Sequence, residues 1–170
     1  MKILLSTALV ALYVCGINAN ASSGTINFSG KILKQTCTIN GGVADMAITL
    51  PAVAAAALPA GATAGRTPFR VSLSQCSVAA GKAHVYFSSF DTAAIARATL
   101  ASGLQNVELQ LLNTNGSVID LSLPDSAGFS QGANIQNGTA VMDYAVEYLS
   151  TGIAQPGTSA AVANYVVTYD

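Results

Sequence analysis

The stretch GTINFSGKI, residues 24–32, alternates almost without fault. Gly24, Ile26, Phe28, Gly30 and Ile32 fall on one side, and Thr25, Asn27, Ser29 and Lys31 on the other, which is the period-two pattern of a half-buried strand. The apolar side of such a strand needs a core. Beyond Ile32 the phase slips: Leu33, Cys37 and Ile39 are odd-numbered, and a slip of one residue sends side chains to the opposite face. Residues 24–39 are also sixteen residues long, far beyond the usual ~5–6 of one strand. They are therefore read as two strands that serve two different surfaces, the second being LKQTCTI.

Upstream, Lys2 and an apolar run over residues 3–17 lead to Ala19, Asn20 and Ala21, an A-x-A pattern. Together they read as a secretory signal peptide over residues 1–21, cut between Ala21 and Ser22. The run of fifteen residues falls short of the ~20 that a membrane-spanning helix needs. Lipid attachment at Cys15 is disfavoured because Val14 is not the small residue such a site wants. A mature chain of 149 residues is expected, enough for one domain with a real core.

With Lys2 removed, six Lys and Arg face eight Asp and Glu, a formal charge of −2. No basic run or arginine-rich arm is present, so nucleic acid is not an expected partner. Cys37 and Cys76 are the cysteines left after export, and in an oxidising compartment they read as one disulfide. It would join the second N-terminal strand to the run that ends at Gln75. A zinc site lacks ligands, since His84 is the one histidine and no C-x-x-C occurs; no metal or cofactor is expected.

Most of the remaining chain reads as strands. Phe69, Val71 and Leu73 alternate in FRVSL, Val85 and Phe87 in AHVYF, Val107, Leu109 and Leu111 in VELQL, and Met142, Tyr144, Val146 and Tyr148 in MDYAVEY. NTNG at 113–116 is a turn signal leading to a further strand, SVIDLSL. PAVAAAALP (51–59) and DTAAIARATLASG (91–103) are open between short helix and loop, the latter with a capping Asp91 and a closing Gly103. The sum is all-β, a sandwich. The last segment, ANYVVTYD, sets Ala163, Tyr165, Val167 and Tyr169 on one face; at the edge of a sandwich it would leave open backbone groups and an uncovered apolar strip, which natural proteins avoid unless something pairs there.

Catalytic signals are poor. Neither G-x-S-x-G nor H-E-x-x-H occurs, His84 is expected to point to solvent across from Val85, and Asp143 and Glu147 are expected on a solvated polar face. Asn115 and Asn137 fit a glycosylation pattern and equally well ordinary turns.

These residues resemble a known family, the pilins of chaperone–usher type 1 fimbriae, and in particular the shaft subunit. The resemblance spans the mature chain: INFSGKI with its inward glycine, Cys37 and Cys76, NTNG, YLSTGIAQPG at 148–157, and a terminal strand with Gly157 fourteen residues from the end and Tyr169 next to last. It implies an incomplete immunoglobulin-like β-sandwich, residues 33–170, completed by a donor strand from a neighbouring subunit. Residues 22–32 would be the donor extension, with Gly24, Ile26, Phe28, Gly30 and Ile32 entering a neighbour's core. Gly157, Ala163, Tyr165, Val167 and Tyr169 would form the acceptor groove and chaperone-binding surface. The implied partners are other pilin subunits, a periplasmic chaperone and an outer-membrane usher, with no small-molecule substrate, and the implied place is a fimbrium at the bacterial surface. A minor adaptor or terminator pilin, or a secreted carbohydrate-binding β-sandwich, are the alternatives.

Overall fold

The computed structural model describes residues 37–123 and 130–170. The leader, the junction at Ala21 and Ser22, and the leading strand with Gly24, Ile26, Phe28, Gly30 and Ile32 lie outside the described residues. Eight strands are described: β1 (Thr38–Ile39), β2 (Thr63–Ser74), β3 (Ala80–Ser88), β4 (Leu100–Leu104), β5 (Val107–Asn113), β6 (Ala133–Gln136), β7 (Ala140–Ser150) and β8 (Asn164–Tyr169). They form a five-stranded sheet, ordered β1-β2-β7-β5-β4, and a three-stranded sheet, ordered β6-β3-β8. All pairings are antiparallel.

The alternation read from the sequence sets the register. Phe69 pairs with Tyr144 and Val71 with Met142; Leu111 pairs with Val146; Val85 pairs with Val167 and Phe87 with Tyr165. Each pair projects to the same face of its sheet, so one apolar row meets another and one core fills the sandwich, with Val71, Leu73, Val85, Phe87, Leu109, Leu111, Met142 and Tyr144 buried. Phe87 joins the layers: its ring meets Phe69 at 6.1 Å and Tyr144 at 5.1 Å between centroids, both edge-on, the geometry aromatic pairs prefer. The Tyr144 hydroxyl is hydrogen-bonded to the Ser130 hydroxyl at 2.6 Å, yet burial pushes its pKa up to about 12.

The disulfide forms between Cys37 and Cys76 with Cα atoms 3.9 Å apart. It staples β1, whose two residues pair with Ser74 and Leu73, to the end of β2. Of the expected strand LKQTCTI, only Thr38 and Ile39 are strand among the described residues, and the chain turns at once through a 3-10 turn, Asn40–Gly42.

Several expectations need correction. SVIDLSL is not a strand: Val118 makes one bridge to Leu112, and then Asp120 accepts hydrogen bonds from the Ser122 amide (2.8 Å) and hydroxyl (2.6 Å). Such a local bond offers the backbone an alternative to the ladder, and Ile119 and Leu121 are buried from an irregular segment instead. In DTAAIARATLASG, Asp91 does cap a four-residue helix, Thr92–Ile95, through the Ala94 amide at 2.8 Å, but Gly103 closes no helix and lies in β4. In PAVAAAALP a single 3-10 turn forms, Ala55–Ala57.

The polar face of the larger sheet is not uniformly solvated. Glu147 is buried because β7 is the central strand and its neighbours lay long side chains across it: Arg66 Nε donates to Glu147 at 2.8 Å and Gln110 Nε2 at 2.6 Å. Glu108 is buried likewise, accepting from Arg97 Nε at 2.7 Å and the Thr99 hydroxyl at 2.5 Å. Burial pushes both carboxyls up, and these hydrogen bonds outweigh it, holding both below the usual carboxylate range. Asp143 behaves as expected, exposed and paired with Arg70 at 2.6 Å. His84 does not simply face solvent; its Nε2 is 2.9 Å from Asp170 Oδ2 and its side chain is mostly covered.

Candidate functional site: an open groove beside the last strand

β8 has β3 on one side and, among the described residues, no strand on the other. Its alternation ANYVVTY leaves Val166 exposed and turns Tyr165, Val167 and Tyr169 towards the core, which they pack against without being fully covered. Backbone donors and acceptors on the free side therefore stand next to apolar surface. This is the environment in which an added strand gains ladder hydrogen bonds and side-chain burial together.

Alongside lies a groove of about 490 Å³. Its floor is core: Leu100, Leu109, Leu111 and Val146 from the large sheet, with Phe69 and Phe87 at the aromatic cluster. One wall is the start of β8 and the residues just before it, including Tyr165 and Ala163, and another is the extended segment carrying Met46, Ile48 and Leu50. Two tyrosines reach across. The Tyr165 hydroxyl donates to the Ala44 carbonyl at 2.5 Å, and a hydrogen bond links Tyr169 to the Cys37 backbone. Burial is the main cause that raises the pKa of each phenol, so both stay protonated at neutral pH.

A second cavity of about 200 Å³ continues along the same elements: Leu104 follows Leu100 on β4, Val107 follows Leu109 on β5, and Tyr148 follows Val146 on β7. Its walls are Val53, Ala55 and Leu58 on one side and Ala154, Pro156 and Gly157 on the other. The structure thus brings Ala163 and Tyr165 together in the larger lobe and sets Gly157 in the smaller one, where an added Cβ would come within 2.5 Å of Leu104 Cδ2. Val167 and Tyr169 sit further along β8, towards the disulfide.

Sequence reasoning missed the wall at 44–50. The signal was there: Ala44, Met46, Ile48 and Leu50 alternate with Asp45, Ala47 and Thr49. They form no ladder, because the groove separates them from the strand they would have joined. Among the described residues no group of His, Cys, Asp and Glu could hold a metal ion.

The class this defines is a β-sandwich in which, among the described residues, the last strand has a neighbour on one side only. The fimbrial protein family matches residues 26–170, and the chain belongs to that family. It is 38% identical over 165 residues to the major fimbrial subunit SMF-1 of Stenotrophomonas maltophilia (strain K279a), covering 89% of this chain and 95% of that protein. It is 30% identical over 178 residues to the type-1 fimbrial protein A chain of Escherichia coli (strain K12), covering 95% and 96%. Its fold is similar to that of the P pilus rod subunit PapA in a crystal structure, with a TM-score of 0.63 over 79% of this chain and 99% of that one, at 17% identity. The chain is a structural pilin with an immunoglobulin-like all-β fold and not an enzyme, a subunit of a polymeric fibre at the cell surface.

Proposed function

We propose that this pilin polymerises by donor-strand exchange: residues 22–32 of one subunit fill the groove of the next, and residues 33–170 are the body that receives them. The observation that carries the reading is the free side of β8 next to an apolar groove. Occupation by Ile26, Phe28 and Ile32 would gain roughly 1.5–3 kcal/mol for each side chain buried, and each ladder hydrogen bond about 0.5–1.5 kcal/mol net. Gly30, with no side chain, is the position where the donor backbone can approach closest.

Before assembly the same edge needs cover. A periplasmic chaperone that lends a strand supplies it, a form of β-strand addition known for chaperones and pilins, and an outer-membrane usher then passes subunits to the surface after the signal is cut between Ala21 and Ser22. The acceptor residues are Ala163, Tyr165, Val167 and Tyr169 in and beside the large lobe and Gly157 in the small one. The subunit is assigned to the shaft, supported by its similarity to a relative named as a major subunit, and the fibre serves cell adhesion.

Deleting residues 22–31 tests the assignment. The shortened chain should accept a donor and give none, so that on its own it takes up a peptide of residues 22–32 but builds no fibre. A shortened chain that polymerises as well as the full one overturns the donor role.

A further inference from the structure

We infer that Ile153 is a contact between the bodies of consecutive subunits, packing on the end of the next copy of this chain that carries the Cys37–Cys76 turn. This rests on the donor-strand reading and adds a second contact to it. Every pairing in both sheets is antiparallel, and a donor that keeps this pattern runs opposite to β8. Its Ile32 end then leaves the acceptor past the beginning of β8, at the small lobe lined by Ala154 and Gly157. From Ile32 the chain has five residue steps to Cys37, a span of at most about 18 Å. The disulfide end of the donating body is therefore delivered next to the loop that follows β7.

On that loop Ile153 is 78% exposed. A lone exposed apolar residue is ordinary, but this one is held in place. The Thr151 amide donates to the Asn106 carbonyl at 2.9 Å, Asn106 Nδ2 donates to the Ile153 carbonyl at 2.9 Å, and the Ser150 hydroxyl donates to the Gly152 carbonyl at 2.5 Å. Gly152 lies so close to Asn106 that a Cβ there would be 3.0 Å from its Cγ. A side chain carried on backbone already held in this way adds little loop ordering to the cost of docking. The surface delivered to it suits an isoleucine: residues 37–42 and 75–80 include no charged side chain, and Gly41, Gly42, Ala79 and Ala80 are exposed there.

The test uses fibres from cells making the full chain, with a photoreactive benzoylphenylalanine placed at 153 or at 28. The expected result is a cross-link from 153 to residues 37–42 or 75–80 of a second copy, and from 28 to the groove of a second copy. A probe at 28 that reaches a second copy, with a probe at 153 that reaches only its own chain, another surface or nothing, overturns this inference alone. A probe at 28 that reaches only its own chain overturns the donor-strand reading, and this inference with it. Ile153→Asp fibres should dissociate in denaturant at least tenfold faster while the yield from 28 is unchanged; an unchanged rate, or a lost yield from 28, contradicts a body-to-body contact.

Discussion

Removing the disulfide by Cys37→Ala and Cys76→Ala together should do two separable things. The bridge closes a loop of 39 residues, which on the chain-entropy view stabilises by about 4 kcal/mol, a large share of the ~5–15 kcal/mol that holds a typical domain folded. The structure adds a local effect. Without the bridge, the start of the segment that walls the groove is held by the two pairings of β1 and by scattered hydrogen bonds: from the Ser72 amide to Asn40 Oδ1 at 2.8 Å, from the Thr38 hydroxyl to Gln75 Oε1 at 3.1 Å, from the Tyr165 hydroxyl to the Ala44 carbonyl, and between Tyr169 and the Cys37 backbone. Met46, Ile48 and Leu50 follow directly and would be held less firmly. Limited proteolysis of the unassembled subunit, with the cut sites mapped by mass, should show that the first cuts within residues 37–170 fall at 38–50 and come faster than in the bridged chain. Fibre yield should fall more than the ~4 kcal/mol loss of unfolding free energy alone accounts for. First cuts elsewhere within residues 37–170, or a doubly substituted chain that assembles normally, would refute the link between the bridge and the groove wall.

Glu147 and Glu108 have folded pKa values below their ordinary one of 4.5, so their contribution is complete above that value and is lost as pH falls through the folded pKa; the subunit should weaken progressively below about pH 4.5. Glu147→Gln, which leaves one acceptor oxygen where the carboxylate offered two to Arg66 and Gln110, should cost roughly 1–3 kcal/mol at neutral pH and flatten the acid limb of a denaturation-versus-pH curve. Gly65→Ala should destabilise by about 1–3 kcal/mol in thermal unfolding, since φ is +70° there and the new Cβ would lie 2.9 Å from the Tyr148 ring; a neutral outcome would mean that ring moves freely. Phe28→Ala should cost fibres roughly 3–5 kcal/mol in dissociation midpoint, with Asn27→Ala nearly silent and Gly30→Val harmful by overpacking, ~1–3 kcal/mol. Equal effects at 27 and 28 would contradict the face assignment.

The sandwich was legible because its inward rows are simple. Phe69, Val71 and Leu73, then Met142, Tyr144 and Val146, then Tyr165, Val167 and Tyr169 each announce one face by period two, and the disulfide follows from two cysteines in an exported chain. What stayed hidden depends on contacts between elements distant in sequence. Glu147 looks like a surface carboxylate until β7 is known to be central, with Arg66 and Gln110 lying over it. Leu100 and Ala101 lie in the segment 91–103 that reads as either short helix or loop until β5 offers a partner strand. For the site, β8 and its apolar face could be read directly, whereas the wall at 44–50 could not, because alternation without a pairing partner carries no sign of which surface it faces. The two-lobed shape that separates Gly157 from Tyr165 is likewise a property of the assembled walls.

The most direct measurement is a cryo-electron microscopy map of the intact fibre at a resolution that shows side chains. The groove should hold an extended strand hydrogen-bonded to the free side of β8, with Phe28 pointing at the floor formed by Leu109, Leu111 and Val146 and Ile32 lying towards the small lobe, and that strand should be continuous with Cys37 of the adjacent subunit. A groove filled by the subunit's own residues 24–32, or subunits joined while it stands empty, would contradict polymerisation by donor-strand exchange.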